Sequence, residues 1–189
     1  LDKKMGLKYD ADEVIVTVGG SEAIDLAIRA IIDPGDEVLV VEPSFVCYAP
    51  ITELSGGVVV PLETSADTDF KLTAETLRSK ITDKTKMLIL PYPNNPTGGI
   101  MTKEELLPIA EVLRDTNIVV LSDEIYSELT YGGKTHTSIA QLDGMKERTI
   151  IVNGFSKAYA MTGWRLGYVT GPKPIIEQML KLHQYAIMS

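Results

Sequence analysis

Short apolar runs recur along the chain, separated by segments in which apolar and polar residues follow a helical spacing. The runs are rich in Val, Ile and Leu and do not alternate with polar residues, which is typical of strands buried on both faces. Seven runs predict strands, at residues 14–18, 37–41, 58–62, 86–90, 118–121, 149–153 and 166–170. The pattern predicts an α/β fold of three layers, a mostly parallel seven-stranded sheet with helices on both faces.

The intervening segments predict five helices, at residues 21–32, 46–54, 73–80, 102–114 and 173–187. Thr102 and Glu105 have the spacing of a capping box at the start of the fourth helix. Pro108 follows soon afterwards and is expected to disturb that helix. The chain contains no internal repeat, low-complexity segment or linker, so residues 1–189 are expected to form one domain.

Composition narrows the possible partners. The net charge of −8 argues against binding to nucleic acid or to an anionic membrane, both of which need a basic surface. No apolar stretch approaches the roughly 18 residues of a membrane span, and no signal peptide is recognisable. The single cysteine, Cys47, favours a reducing cytoplasm, and with only two histidines (His136 and His183) no zinc or other metal site is expected.

The polar residues that could carry chemistry follow the predicted strands, where open α/β sheets bind their ligands. Lys157 lies on a turn after the strand at 149–153, and Arg165 comes eight positions later. An amine and a guanidinium in this arrangement could contact the two ends of a small carbonyl compound with a phosphate tail. A partly buried lysine loses its proton more readily and can form a Schiff base. The alternative is a surface lysine beside an arginine paired with a carboxylate.

Three other loops carry candidate ligand-binding residues. Gly20 and Ser21 join the first strand to a helix, whose free N–H groups could hold a phosphate, although Ser21 could equally be an N-cap. Phe45 could stack on a flat ligand or belong to the core. Asp123 ends an apolar strand, where an unpaired carboxylate costs several kcal/mol and therefore favours a cationic partner, or else an N-cap role.

Residues 153–168 read Asn-Gly-Phe-Ser-Lys-Ala-Tyr-Ala-Met-Thr-Gly-Trp-Arg-Leu-Gly-Tyr. This run resembles the lysine region of pyridoxal-phosphate-dependent aminotransferases of class I/II, which have the aspartate aminotransferase fold (fold type I). Tyr-Pro-Asn-Asn-Pro-Thr-Gly at 92–98 and Ser-Asp-Glu-Ile-Tyr at 122–126 match two further motifs of that family. The resemblance extends from Val14 to Ser189.

The resemblance implies that pyridoxal 5′-phosphate is held as an internal aldimine on Lys157, which later also moves the α-proton. It implies that Asp123 pairs with the pyridine nitrogen, that Tyr126 and Asn95 bond the phenolic oxygen, and that Phe45 stacks on the ring. The phosphate would be held by Gly20, Ser21, Arg165 and the backbone N–H of Glu22, with the Glu22 carboxylate pointing away. Ser156 is a weaker match, because some relatives place a phosphate-binding serine where this chain has Gly154. Asn94 is expected to serve the turn, and Trp164 and Tyr168 are expected to pack.

The implied reaction is transamination between an L-amino acid and a 2-oxo acid, in a homodimer. Family members are about twice as long, so residues 1–189 are interpreted as the cofactor-binding large domain without its N-terminal segment and C-terminal small domain. The arginine that binds the substrate carboxylate would lie outside the chain, and the chain alone is expected to be inactive or weak. Aspartate, aromatic amino acids and alanine stay open as donors. The alternatives are a C–S lyase (β-elimination), a non-catalytic aminotransferase-like domain of a transcription regulator, and an α/β domain without cofactor.

Overall fold

The computed structural model describes residues 1–187, except for the side chain of Asp2. Its strands are β1 (Val14–Thr17), β2 (Glu37–Glu42), β3 (Val58–Glu63), β4 (Thr85–Leu90), β5 (Val119–Asp123), β6 (Thr149–Gly154) and β7 (Gly167–Thr170). They form one sheet in the order β1-β7-β6-β5-β4-β2-β3. Strand β7 is antiparallel to both of its neighbours, and the strands from β6 to β3 pair in parallel. The predicted mostly parallel seven-stranded sheet is confirmed.

The helices are α1 (Asp2–Met5), α2 (Gly19–Ile31), α3 (Tyr48–Leu54), α4 (Ala74–Lys80), α5 (Lys103–Leu113) and α6 (Lys173–Ala186). Helices α2 to α6 correspond to the five predicted helices, with ends that differ by at most two residues. The difference that matters for function is at α2, which begins two residues earlier than predicted. None of the helices within residues 1–187 combines the length and apolar character that crossing a membrane requires.

Strand β2 shows how the sheet separates two cores. Val38 and Val40 pack into a cluster formed with α2, α3 and α6. Leu39 and Val41 point to the opposite face, into a second cluster formed with α4 and α5. Because neighbouring side chains of a strand point to opposite faces, a run of apolar residues without alternation fits a sheet covered on both sides. The predicted three-layer architecture is confirmed.

Strand β1 departs from this pattern, since Val14 and Val16 are 36% and 61% exposed. The strand lies at the edge of the sheet, and only its other face, with Ile15 and Thr17, is buried.

Helix α5 corrects the expectation for Pro108, because the helix continues through the proline to Leu113. The predicted capping box is present: the Thr102 hydroxyl accepts from the Glu105 amide, and a Glu105 carboxylate oxygen accepts from the Thr102 amide at 2.8 Å. Beyond the proline, residues including Ile109 and Leu113 are fully buried on the sheet. Tertiary burial therefore outweighs the hydrogen bond that the proline removes.

Candidate active site

A cavity of about 260 Å³ lies at the carboxyl ends of β4, β5 and β6, beside the start of α2. The cavity wall includes all but one of the residues predicted to bind the cofactor. Those that line it are Gly20, Ser21, Phe45, Asn95, Asp123, Tyr126, Ser156, Lys157 and Arg165. The sheet therefore gathers into one place residues that are up to 145 positions apart, from Gly20 to Arg165 (165 − 20 = 145). The exception is Glu22.

Glu22 lies in the first turn of α2 with its carboxylate turned away from the cavity. One carboxylate oxygen accepts a hydrogen bond from the Val18 amide, and the other lies 2.9 Å from Nδ1 of His183 on α6. Because α2 begins at Gly19, Ser21 is inside the first turn, and the alternative of Ser21 as the N-cap is wrong. Amide groups of a first helical turn have no partner within the helix, so they can face an anion.

The positively charged guanidinium of Arg165 lies beside the start of α2. Its backbone has a left-handed conformation (φ 50°), and Nη1 donates to the Thr162 carbonyl oxygen at 3.2 Å. The guanidinium lies so close to Gly19 that an added Cβ there would be 2.5 Å from Nη2. Gly19 itself has φ +71°, which side chains other than glycine seldom adopt. The guanidinium of Arg165 and the start of α2 thus form a cradle that suits a phosphate.

The cradle rests on a close contact between two backbones. A Cβ on Gly167 would lie 2.6 Å from the carbonyl carbon of Gly19 and 2.9 Å from its Cα. On the other side of Gly167, a Cβ on its strand partner Gly154 would lie 3.0 Å from the Gly167 Cα. The sequence motif ending in Gly167-Tyr168 therefore has a steric cause, since only glycine permits this approach.

We expect Gly167→Ala to lower the free energy of unfolding by about 1–3 kcal/mol, because the new methyl group forces the backbone of Gly19 to move. The matched control is Gly163→Ala, where an added Cβ meets nothing within 4 Å. Urea denaturation of both variants measures the difference. Equal stability of the two variants would contradict a tight backbone contact at Gly167.

Asp123 is the buried acid of the cavity, with 7% of its surface exposed. Its Oδ2 accepts a hydrogen bond from the Tyr48 hydroxyl at 2.7 Å, and its Oδ1 accepts from the Ile125 amide at 3.2 Å. Burial raises the pKa of Asp123, and these two hydrogen bonds oppose that rise. No helix follows Asp123, so the alternative N-cap role is wrong.

Lys157 lines the cavity from the turn after β6 and is less buried than expected. It was expected to be partly buried, but it is exposed in residues 1–187. The reason is its place on the rim turn after β6, which the described part of the chain leaves uncovered on its outer side. Its Nζ lies 5.8 Å from the ring centre of Tyr126. The amine therefore lies near a ring that also lines the cavity.

The aromatic wall of the cavity holds Phe45 and a residue that sequence reasoning missed, Tyr48. Their rings meet edge to face, with centres 6.0 Å apart and an interplanar angle of 82°. Tyr48 is 2% exposed, and burial, followed by the nearby charge of Asp123, raises its pKa well above the usual value. Tyr48 therefore remains a protonated donor to Asp123. The only sequence signal for Tyr48 is its position three residues after Phe45, and that spacing does not distinguish a donor from a core residue.

Three further expectations near the cavity have different outcomes. Asn94 serves the turn as predicted: its Nδ2 donates to the Pro43 carbonyl oxygen at 3.2 Å, and its Oδ1 accepts from the Thr97 amide. The expectation that Trp164 packs is wrong, because 76% of its surface is exposed. Trp164 ends the short 3-10 helix Thr162–Trp164 at the cavity rim, which no element of residues 1–187 covers. Tyr168 does pack, with its ring centre 6.2 Å from that of Phe155.

The structure brings the Lys157 amine, the buried Asp123 carboxylate and the Arg165 guanidinium together at one edge of a mostly parallel sheet. The resemblance of the sequence to class I/II aminotransferases implies the same grouping. The sequence model of the aminotransferase class I and II family matches residues 1–189, and the chain belongs to that family.

Individual relatives agree with this assignment. The Bacillus subtilis protein YugH is 51% identical over 189 residues, which are 100% of this chain and 49% of that protein. An aspartate aminotransferase of Pyrococcus abyssi is 44% identical over 186 residues, 98% of this chain and 48% of that protein. The crystal structure of an aromatic aminotransferase from Pyrococcus horikoshii OT3 superimposes with a TM-score of 0.95 at 45% identity, covering 98% of this chain and 50% of that one. The chain thus spans about half the length of the curated relatives it matches.

Proposed function

We propose that this chain is the cofactor-binding part of a pyridoxal-phosphate-dependent aminotransferase, which exchanges an amino group between an L-amino acid and a 2-oxo acid. The observation that carries the proposal is the composition of one cavity wall: the Lys157 amine, the buried Asp123 carboxylate and the Arg165 guanidinium. The family is generally dependent on pyridoxal phosphate, and the donor groups of the cavity fit that compound. When bound, pyridoxal phosphate supplies a carbonyl that condenses with amines and a ring that takes up the electron pair left by the α-proton.

The phosphate end would lie at the start of α2. Arg165 offers two parallel N–H donors, and the first-turn amides of Gly20, Ser21 and Glu22 add neutral donors along the helix axis. The Ser21 hydroxyl lines the same part of the cavity. Ser156, which is 6% exposed and also lines the cavity, is placed to add a hydroxyl on the other side. These groups bind and orient the cofactor without taking part in proton transfer.

The cofactor ring would stack on Phe45. The polar groups at the edge of that ring, its phenolic oxygen and its nitrogen, would meet side chains of the cavity. Asn95 and Tyr126 can each donate a hydrogen bond to a phenolic oxygen. Asp123 offers a carboxylate that has hydrogen-bond donors but no ion-pair partner within residues 1–187. A protonated ring nitrogen would be that partner, and the pair would keep the ring electron-withdrawing.

Lys157 would be both the covalent attachment point and the proton carrier. Its Nζ would hold the cofactor covalently, and as a free amine it would take up the α-proton of the substrate and give it back. The rim position of Lys157 suits this exchange, because the amine must reach substrate arriving from solvent. Cytoplasmic location and homodimeric assembly are part of the same proposal. The donor stays open among aspartate, aromatic amino acids and alanine, and similar proteins are named for aspartate, for aromatic amino acids and for N-acetyl-LL-diaminopimelate.

Borohydride trapping tests the proposal in the complete protein that contains this chain. We expect pyridoxal phosphate to produce a new near-visible absorption band, and borohydride to convert it into a stable adduct. Mass spectrometry of a digest should place that adduct on the peptide containing Lys157, at about one per chain.

Two results would count against the proposal. One is the absence of the band in the complete protein. The other is an adduct spread over surface lysines, such as the exposed Lys134, in proportion to their exposure. A subsequent addition of an amino-acid donor together with a 2-oxo acid acceptor, with the new amino acid and ammonia both quantified, separates the two reactions. Transamination moves the amino group to the acceptor, whereas β-elimination releases it as ammonia.

A further inference from the structure

A second carboxylate, that of Glu124, directly follows Asp123 and is completely buried. Its Oε1 accepts hydrogen bonds from the Ser122 hydroxyl at 2.9 Å and from the Ser138 hydroxyl at 2.5 Å. Its Oε2 lies 3.0 Å from Nε2 of His136, within ion-pair distance but outside hydrogen-bond alignment. The His136 side chain is itself 7% exposed. A fully enclosed polar cluster of this kind lies behind the cavity and contributes nothing to its wall.

Such a cluster contributes less to stability than apolar side chains in the same place would. Burying a carboxylate and an imidazole costs free energy that apolar side chains of the same volume would not, and breaking such a pair is strongly destabilising. The energetic cost therefore points to a role in fixing one arrangement. The cluster joins the end of β5 to residues 136–138, the segment that returns from the exposed loop at 131–135.

The backbone of Glu124 is fixed as firmly as its side chain. Its amide donates to the Val152 carbonyl oxygen of β6 at 2.8 Å, and its carbonyl oxygen accepts from the Ser127 amide at 2.9 Å. The Ser127 hydroxyl in turn accepts from Nδ2 of Asn153 at 3.0 Å. The turn from Asp123 to Ser127 is thus tied to β6, the strand that leads to Lys157.

Asp123 and Tyr126 lie on either side of this anchored residue. Asp123 ends β5 and lines the cavity, whereas Glu124, the next residue, lies against Ser138 and His136 and is not part of the cavity wall. Tyr126 follows two residues later on the same turn and also faces the cavity. A shift of the Glu124 side chain would therefore move both cavity residues. Burial is the main cause of the raised pKa of Asp123, and the nearby Glu124 makes a smaller contribution in the same direction.

We propose that Glu124, held by His136, is a positioning residue that fixes the places of Asp123 and Tyr126 in the cavity. The significance of this pair for cofactor binding depends on the proposed function, whereas the fixing of the turn does not. Neither residue contacts the cavity, so neither is a catalytic residue. Their effect reaches the cofactor through the turn between Asp123 and Ser127.

The experiment uses the complete protein with Glu124→Gln, His136→Gln and both together. Glu124→Gln keeps the shape of the side chain and removes its charge, and His136→Gln provides a milder change should the first variant fold poorly. Lys134→Ala is the control, because its side chain is exposed in the same loop and its hydrogen bonds to Thr130 and Tyr131 use backbone atoms that the substitution leaves in place. Hydrogen–deuterium exchange of the unliganded protein, affinity for pyridoxal phosphate and the pH titration of the lysine-bound cofactor's absorption band are measured.

We expect exchange in residues 122–129 to rise about tenfold or more in both single variants, with residues 58–63 of the distant strand β3 unchanged. The dissociation constant for pyridoxal phosphate should rise about 10–100-fold, as it does when outer partners of a metal ligand are removed. The band should titrate about half a pH unit or more away from its wild-type midpoint. Because the two residues act together, the double variant should resemble the single variants.

Unchanged exchange in residues 122–129 would overturn the proposal. So would unchanged affinity and an unchanged band titration beside a lowered melting temperature, since the pair would then serve only stability. If the wild-type protein forms no lysine-bound band at all, the proposed function fails, and exchange in the unliganded protein still decides whether Glu124 and His136 fix the turn.

Discussion

Replacing Lys157 by alanine should lower the transamination rate of the complete protein by about 10⁴-fold, because this one amine would both remove and return the α-proton. General acid–base groups contribute roughly 10²–10⁴-fold, and losing the covalent attachment adds to that loss. The rest of the cavity remains in Lys157→Ala, including Asp123 and Arg165. Pyridoxal phosphate should therefore still bind, without the absorption band of the lysine-bound form and without a borohydride-stable adduct.

Two companion variants sharpen the test. Lys157→Arg keeps the positive charge at the rim but provides a group that does not give up its proton and forms no imine, so it should be as inactive as the alanine variant. Lys181→Ala removes an exposed lysine of α6 whose amine donates to Gln178 and makes no other hydrogen bond within residues 1–187, and it should keep wild-type rates. Steady-state rates and absorption spectra of the three proteins are compared. Substantial turnover by Lys157→Arg would show that the charge matters and the covalent role does not.

Buried strands are the part of the fold that sequence predicts well, and the reason is visible at β2. Its residues Val38 to Val41 are all completely buried, because helices cover both faces, and an uninterrupted apolar run records that directly. The edge strand β1 is harder, since the run that contains Val16 looks the same although Val16 faces outward. Pro108 misleads for a related reason: its local cost is evident in the sequence, while the burial of Ile109 that outweighs it depends on tertiary structure.

The residues of the candidate site also fall into those that local sequence predicts and those that depend on tertiary structure. Residues fixed by local backbone geometry, such as Gly20 at a helix start or Asp123 at a strand end, are predictable because ligands of α/β sheets bind at those places. Tyr48 and His136 are not, because their partners Asp123 and Glu124 are 75 and 12 residues away in the sequence (123 − 48 = 75; 136 − 124 = 12). No local sequence pattern indicates that Tyr48 contacts Asp123 or that His136 contacts Glu124. The exposure of Lys157 depends likewise on what covers the rim of the cavity.

Asp123→Asn should have opposite effects on the stability of the unliganded protein and on its activity. The Asp123 carboxylate is buried with no cation beside it in residues 1–187, and burial raises its pKa. Asparagine fits the same space, accepts from the Ile125 amide through Oδ1 and can donate to the Tyr48 hydroxyl oxygen. Removing the buried charge should therefore stabilise the unliganded protein at neutral pH by about 1 kcal/mol, or a few degrees in melting temperature.

The pH dependence of this difference follows from the direction of the shift. A carboxyl group with a raised pKa in the folded state holds its proton longer there than in the unfolded chain. Wild-type stability therefore falls as the pH rises from the unfolded value of 3.8 through the higher folded value, and it stays lower above both. The advantage of Asp123→Asn should be present at pH 7 and shrink as the pH approaches 3.8. Asp83→Asn, at an exposed turn, is the control and should show no such dependence.

The transamination rate of Asp123→Asn should fall although its stability rises. The Asp123 carboxylate lowers stability when no cation is beside it, but a protonated ring nitrogen would need that same carboxylate as its partner. Losing one side of a buried ion pair costs about 3–5 kcal/mol, so the transamination rate should fall by roughly 10²- to 10⁴-fold. Tyr48→Phe should fall between wild type and Asp123→Asn, since it removes one hydrogen bond that keeps Asp123 ionised and leaves the carboxylate in place. An Asp123→Asn protein that is less stable without cofactor yet fully active would contradict both halves of this argument. The combination of gained stability and lost rate would instead identify Asp123 as a group kept for its ligand, at the expense of the fold.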